Sequence, residues 1–156
     1  MFKNSLVSRL LGILMTLLLT ACTAHPVTPE TRSYIGVTSK PYADVLAELD
    51  LAITEQNFRI TGHNKIGSVI RDREGKPYPD YDTFQFCNLT TAREILDIAP
   101  SAVAWMPCNI AVRSEAGKVV VTTVLLPTDS TDAKLNVLAE RINRQLKQII
   151  DFAVEE

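Results

Sequence analysis

The sequence predicts an α+β domain: a mainly antiparallel sheet with two long amphipathic helices packed on one of its faces. Three observations lead there. Tyr42, Val45, Leu46, Leu49 and Ile53 recur at three- and four-residue spacings, which marks one buried helical stripe. Leu135, Leu138, Ile142, Leu146, Ile149 and Phe152 form a second stripe at the C-terminal end. Between the two lie short runs that alternate or are rich in β-branched residues, the last pair joined by the turn Ser114-Glu115-Ala116-Gly117. A sheet with one open face buries both stripes by packing them on the same side.

Taken in order, Ser33 to Val37 reads as the first strand. Ser39 offers an N-cap and Pro41 suits the first turn of the helix that runs through Gln56, with Asn57 ending it. Phe58, Ile60 and Gly62 alternate with Arg59 and Thr61 as a second strand. From His63 to Gly75 the pattern is ambiguous: Ile66, Val69 and Ile70 suggest a short helical face. Gly75 to Tyr81, with Pro77 and Pro79, is a loop. Phe84 and Phe86 define a third strand, and Thr90 or Thr91 can cap a helix from Ala92 to about Ile98, stopped near Pro100. Cys108 to Val112 and Lys118 to Leu126 complete the strands. Pro127 ends the last one, and Thr128 to Thr131 provide cap residues for the closing helix from about Asp132.

Upstream of this domain, Lys3 and Arg9 precede the apolar run Leu10 to Leu19. Spanning a bilayer as a helix takes about 20 apolar residues, so an export signal over residues 1–21 is expected in place of a membrane anchor. Leu19-Thr20-Ala21-Cys22 resembles the lipobox of bacterial lipoproteins. By that resemblance Cys22 is acylated, palmitate-type chains tether the protein, and residues 22–32, with His25, form a linker to a single domain over 33–156. Thr23 follows the cysteine in place of the aspartate of an inner-membrane retention mark, so the expected location is the periplasmic face of the outer membrane. Removing Lys3 and Arg9 leaves 14 positive against 18 negative side chains, a net −4 with both histidines neutral. That balance argues against a nucleic-acid partner held by a basic patch.

The stretch Phe84 to Val112 carries two cysteines, each followed by asparagine: Cys87-Asn88 and Cys108-Asn109. Together with Ala92, Leu96, Pro100, Pro107 and Ala111-Val112, and with Phe58-Arg59-Ile60 and His63-Asn64 upstream, it resembles the domain-of-unknown-function 302 family. Leu89 departs from the proline that many members carry after the first Cys-Asn pair. The resemblance covers most of the chain after the linker and implies a β-α-β(4)-α two-layer sandwich of the TATA-binding-protein-like class that often self-associates. It brings no established enzyme activity.

The candidate ligand or redox residues are Cys87, Cys108, His63, Asn88, Asn109 and Met106. A Cys87–Cys108 disulfide is permitted in a periplasm. Strand alternation opposes it: with Phe84 and Phe86 inward, Cys87 points away from the core, whereas Cys108 shares the inward parity of Ile110 and Val112. Free thiols with His63 and Met106 suit haem or a soft metal such as Cu(I), although no C-x-x-C, C-x-x-C-H or H-x-x-x-H spacing is present. The competing reading makes both cysteines small buried hydrophobes and His63 a cap or loop residue. Ser68 and Ser114 lack a G-x-S-x-G setting, so nucleophilic hydrolysis is unsupported. The expectation is a non-enzymatic, lipid-anchored envelope module that binds a small ligand or an envelope protein and forms a homodimer, with redox or haem/metal handling through Cys87, Cys108 and His63 as the alternative.

Overall fold

In the computed structural model the chain is described from Arg32 to Glu156. The expected signal segment 1–21, the lipidation site Cys22 and the linker up to residue 31 lie outside the described residues. The elements are β1 (Ser33–Thr38), α1 (Tyr42–Glu55), β2 (Arg59–Asn64), α2 (Ile66–Glu74), β3 (Tyr81–Cys87), α3 (Leu89–Ile98), a 3-10 segment (Pro100–Trp105), β4 (Cys108–Glu115), β5 (Lys118–Val124) and α4 (Ala133–Val154). The five strands form one sheet in the order β1-β5-β4-β3-β2, antiparallel at every junction. The β-α-β(4)-α order is therefore present, with α2 and α3 inserted between strands.

Alternation along the strands decides what each face does. Phe84 and Phe86 of β3, Ile110 and Val112 of β4 and Val121 of β5 point to the helix side and are buried. There they meet Val45, Leu49 and Ile53 of α1 and Leu146, Ile149 and Ile150 of α4 in a single cluster. Burying each such side chain contributes about 1.5–3 kcal/mol, so this layer dominates the stability of the fold. On the opposite face of the sheet Ile35, Val37 and Val124 are each more than half exposed, at 55%, 54% and 64%.

The docking of α4 on β1 depends on one glycine. A Cβ added at Gly36 would lie 2.7 Å from Ile150 Cγ2 and 2.9 Å from Val154 Cγ1. Gly36→Ala is accordingly expected to cost about 1–3 kcal/mol through overpacking; urea titration reads this as a lower midpoint at unchanged slope.

Several ends differ from the sequence expectations. Helix α1 is capped at Pro41 with no side-chain bond, and Ser39 instead accepts a hydrogen bond from Lys118 Nζ at 2.5 Å. Proline sets φ near −65° but brings no side-chain acceptor, so the position is conformational, not a polar cap. Helix α3 begins at Leu89 and is capped by Asn88, whose side-chain oxygen accepts from the Thr91 N–H at 3.1 Å; Thr90 and Thr91 are inside the helix. Asp132 caps α4 by accepting from the N–H groups of Lys134 and Leu135. The ambiguous stretch is α2, closed by Gly75 in the left-handed region at φ 63°. His63 and Asn64 belong to β2, beyond an irregularity between Ile60 and Gly62 that shifts the register. Strand β5 stops at Val124, and Phe152 is 42% exposed while Ile150 and Ala153 take the buried positions. The last turns of α4 thus rotate one residue away from the simple stripe.

Candidate ligand site

Asn88 organises one end of the sandwich. Its side-chain oxygen starts α3, and its Nδ2 donates to the Asn57 carbonyl at 2.9 Å. Asn57 is in the left-handed region at φ 61°, where asparagine is tolerated better than most residues, and its N–H returns to Thr54 O at 2.9 Å. The amide therefore ties the end of β3, the start of α3 and the turn after α1 together. From there α3 and the 3-10 segment cover the sheet end with buried Ala92, Ile95 and Ala102.

Under this cover lies a narrow recess with a cavity volume of about 20 Å³, walled by residues such as Phe58, Ala92, Trp105 and Leu126. Cys87, Met106 and Cys108 all line it. Phe58, Cys87 and Asn88 also border a shallow outer groove of about 340 Å³, together with Arg59, Leu89 and Thr90. Cys87 stands between groove and recess, and Arg59 is its partner across the β2–β3 ladder.

Both thiols are free. Cys108 is opposite Phe86 and shares its inward side, as its parity requires. Cys87 reaches the same recess because β3 ends with it and Asn88 opens a helix, so strict alternation no longer governs its side chain. Parity had kept the two apart; the strand end brings them to one cavity. Burial pushes the Cys108 thiol up to about 11, with the nearby Cys87 adding to the effect, and burial raises Cys87 as well. At pH 8 the Cys108 thiolate fraction is then about a thousandth, so iodoacetamide should label the less buried Cys87 faster. Peptide mass spectrometry of the time course measures this, and equal rates at the two sites would contradict the assigned environments.

The other candidate residues lie elsewhere. His63, opposite Phe84, stacks on that ring at 4.2 Å between centroids, and its Nε2 is 2.6 Å from Asp82 Oδ2. It borders a separate open groove with Asn64, Lys65, Ile66, Val69 and Ile70. Asn109 is exposed on the outer side, and its carbonyl accepts from Thr123 Oγ1 at 2.7 Å. The constellation of Cys87, Cys108 and Met106 is thus assembled, and His63 and Asn109 are not part of it.

Sequence reasoning missed Asp82. This buried carboxylate accepts from the Tyr42 hydroxyl at 3.0 Å on one oxygen and faces His63 on the other. The signal was a polar residue at an inward position of the alternating run Asp82, Phe84, Phe86. Arg59 on the outer groove was also overlooked, because only the cross-strand register places it beside Cys87.

Among the described residues, no group of three or more His, Cys, Asp or Glu side chains could hold a metal ion, and no helix is long and apolar enough to cross a membrane. No curated protein matches the chain significantly. The crystal structure of an uncharacterized conserved DUF302 protein from Bacillus stearothermophilus is similar, with a TM-score of 0.69 over 78% of this chain and 97% of that chain at 17% sequence identity. Its likeness is one of fold: a mixed α/β arrangement on a five-stranded antiparallel sheet. The profile described as Domain of unknown function DUF302 matches residues 35–153, from β1 into the last turn of α4, and the chain belongs to that family.

Proposed function

We propose that this protein is a lipid-tethered binding module of the bacterial cell envelope, held on the periplasmic face of the outer membrane through Cys22, and that its ligand site is the recess under α3. The observation that carries the reading is the convergence of Cys87, Cys108 and Met106 on one narrow, apolar cavity whose mouth is bordered by Asn88. The environment favours binding over nucleophilic turnover, since burial raises both thiols and so lowers their reactivity. The recess is too narrow for a macrocycle, and His63, engaged with Asp82, borders a different groove, which counts against haem.

Native mass spectrometry of protein recovered unreduced from a periplasm tests the site. The expected result is a mass above that of the chain which disappears in Ala92→Phe, a substitution that fills the recess. A bare chain in the wild type, together with unchanged behaviour of Ala92→Phe, would overturn it. Anchoring is tested separately: Cys22→Ala should leave washed membranes, and a variant that still sediments with them would refute the tether.

The exposed apolar side chains on the outer face of the sheet favour one further reading, self-association of two copies. Ile35, Val37 and Val124 form an exposed apolar strip across β1 and β5, where Ile35 pairs with Thr122 and Val37 with Val120. Sedimentation should show a dimer that Ile35→Lys dissociates; a monomer at all concentrations would dismiss it.

A further inference from the structure

The ligand class of the recess follows from its donors, and this step rests on the recess being the binding site. We propose that it is a site for a single soft monovalent d10 cation, Cu(I), held by Cys87, Cys108 and Met106. Three sulfur-bearing side chains line one cavity, which offers no carboxylate and no imidazole. Soft thiolate and thioether ligands select Cu(I), whereas a structural zinc site takes four ligands, usually cysteine and histidine. No such set of histidine, cysteine and carboxylate side chains exists among the described residues. The dimensions agree: the recess is narrow enough to exclude most organic ligands and ample for one ion.

Charge balance also fits. Binding forms two copper–sulfur bonds to Cys87 and Cys108 while two thiol protons leave to solvent. The thioether of Met106 adds a third donor without charge, and no electron is transferred. The bound centre carries a net charge of −1 in apolar surroundings. Arg59, across the ladder from Cys87 and on the groove that leads to it, supplies a compensating positive charge at the mouth. Cys87, shared by groove and recess, is the first sulfur an incoming ion meets.

The test is an anaerobic titration of the full-length protein with Cu(I) against a competing chelator, followed by thiolate-to-copper absorption in the ultraviolet. The expected result is one Cu(I) per chain above any contribution from Cys22, lost in both Cys87→Ser and Cys108→Ser. Met106→Leu should weaken binding about tenfold while keeping the stoichiometry, and His63→Ala should change nothing. Cu(I) binding that survives in both cysteine variants, or none in the wild type, would overturn the proposal. In the second case an adduct mass that vanishes in Ala92→Phe would still support the recess as a site for a different ligand. Circular dichroism of the serine variants, expected to match the wild type, separates lost ligands from lost folding.

Discussion

Asn143→Ala is expected to destabilise the domain by about 2–4 kcal/mol. Asn143 sits on the buried side of α4 and is only 9% exposed. Its side-chain oxygen accepts from the Leu126 N–H at 2.8 Å, and its Nδ2 donates to the Leu126 carbonyl at 3.0 Å. The amide thus acts as a strand partner for the backbone just after β5 ends, where the ladder no longer supplies one. Alanine leaves a buried donor and a buried acceptor without partners, each costing about 1–3 kcal/mol. Asn143→Asp should be at least as damaging, since a carboxylate accepts but cannot donate to the Leu126 carbonyl. Asn143→Leu keeps the volume and still loses both bonds, which separates packing from hydrogen bonding. A thermal scan should show the alanine midpoint lower by about 10 °C, taking roughly 4 °C per kcal/mol for a domain of this size. A drop of less than about 2 °C would mean that Leu126 finds other partners.

Leu126 also lines the recess, so the same clamp has a functional side. Loosening it should widen the wall that faces Cys108 and Met106. Ligand retention by Asn143→Ala is therefore expected to fall even under conditions where the variant remains folded.

The same residue shows where sequence reasoning succeeds and where it stops. The two helical stripes, the alternation of Phe84 with Phe86 and the hairpin at Ser114 to Gly117 fix the layers, because periodicity reports directly which side of an element faces apolar surroundings. Asn143 interrupts such a stripe next to Ile142 and Leu146, and periodicity assigns it no role: its partner is a backbone segment 17 residues earlier. Caps were misplaced for a related reason. Ser39, Thr90 and Thr91 have suitable side chains, yet the chain direction selects Pro41 and Asn88, and Asn88 does two jobs at once by also holding Asn57.

At the candidate site, the residue types Cys87, Cys108 and Met106 were legible, and their convergence was not. Parity is dependable only away from the ends of a ladder. Cys87 is the last residue of β3, where the backbone turns into a helix, so its direction is a tertiary fact. His63 illustrates the converse. Its proximity in composition to the cysteines suggested a shared centre, but the register places it opposite Phe84, three residues along β3 from Cys87.

The second large effect concerns Tyr42, Asp82 and His63. Tyr42 reaches down from the first turn of α1, and its hydroxyl donates to Asp82 Oδ1 at 3.0 Å with the Val112 carbonyl oxygen 3.2 Å away. One phenol thereby fastens α1 to both β3 and β4. Burial pushes its pKa well above the ordinary tyrosine value; the Asp82 charge, the hydrogen bond to Asp82 and the Asp80 charge act in the same direction. The folded state therefore holds this proton at pH values where the unfolded chain has released it. A group raised in the folded state leaves stability intact below its unfolded pKa, about 10 for tyrosine, and removes it as pH rises beyond that. Urea midpoints should accordingly be flat from pH 8 to 9 and fall between pH 10 and 11. Tyr34, shifted upward by its hydrogen bond to Asp151, contributes to the same fall. Tyr42→Phe should lower stability at pH 8 by about 1 kcal/mol and show a shallower alkaline loss than the wild type. Asp82→Ala should cost about 2–3 kcal/mol, because it frees His63 and weakens the hold on Tyr42 together. A Tyr42→Phe variant whose midpoint falls as steeply as the wild type above pH 10 would show that the buried phenol is not the group responsible. Since neither substitution touches the recess, Cu(I) uptake by Tyr42→Phe at pH 7 should equal that of the wild type, which separates this anchoring polar cluster from the sulfur site.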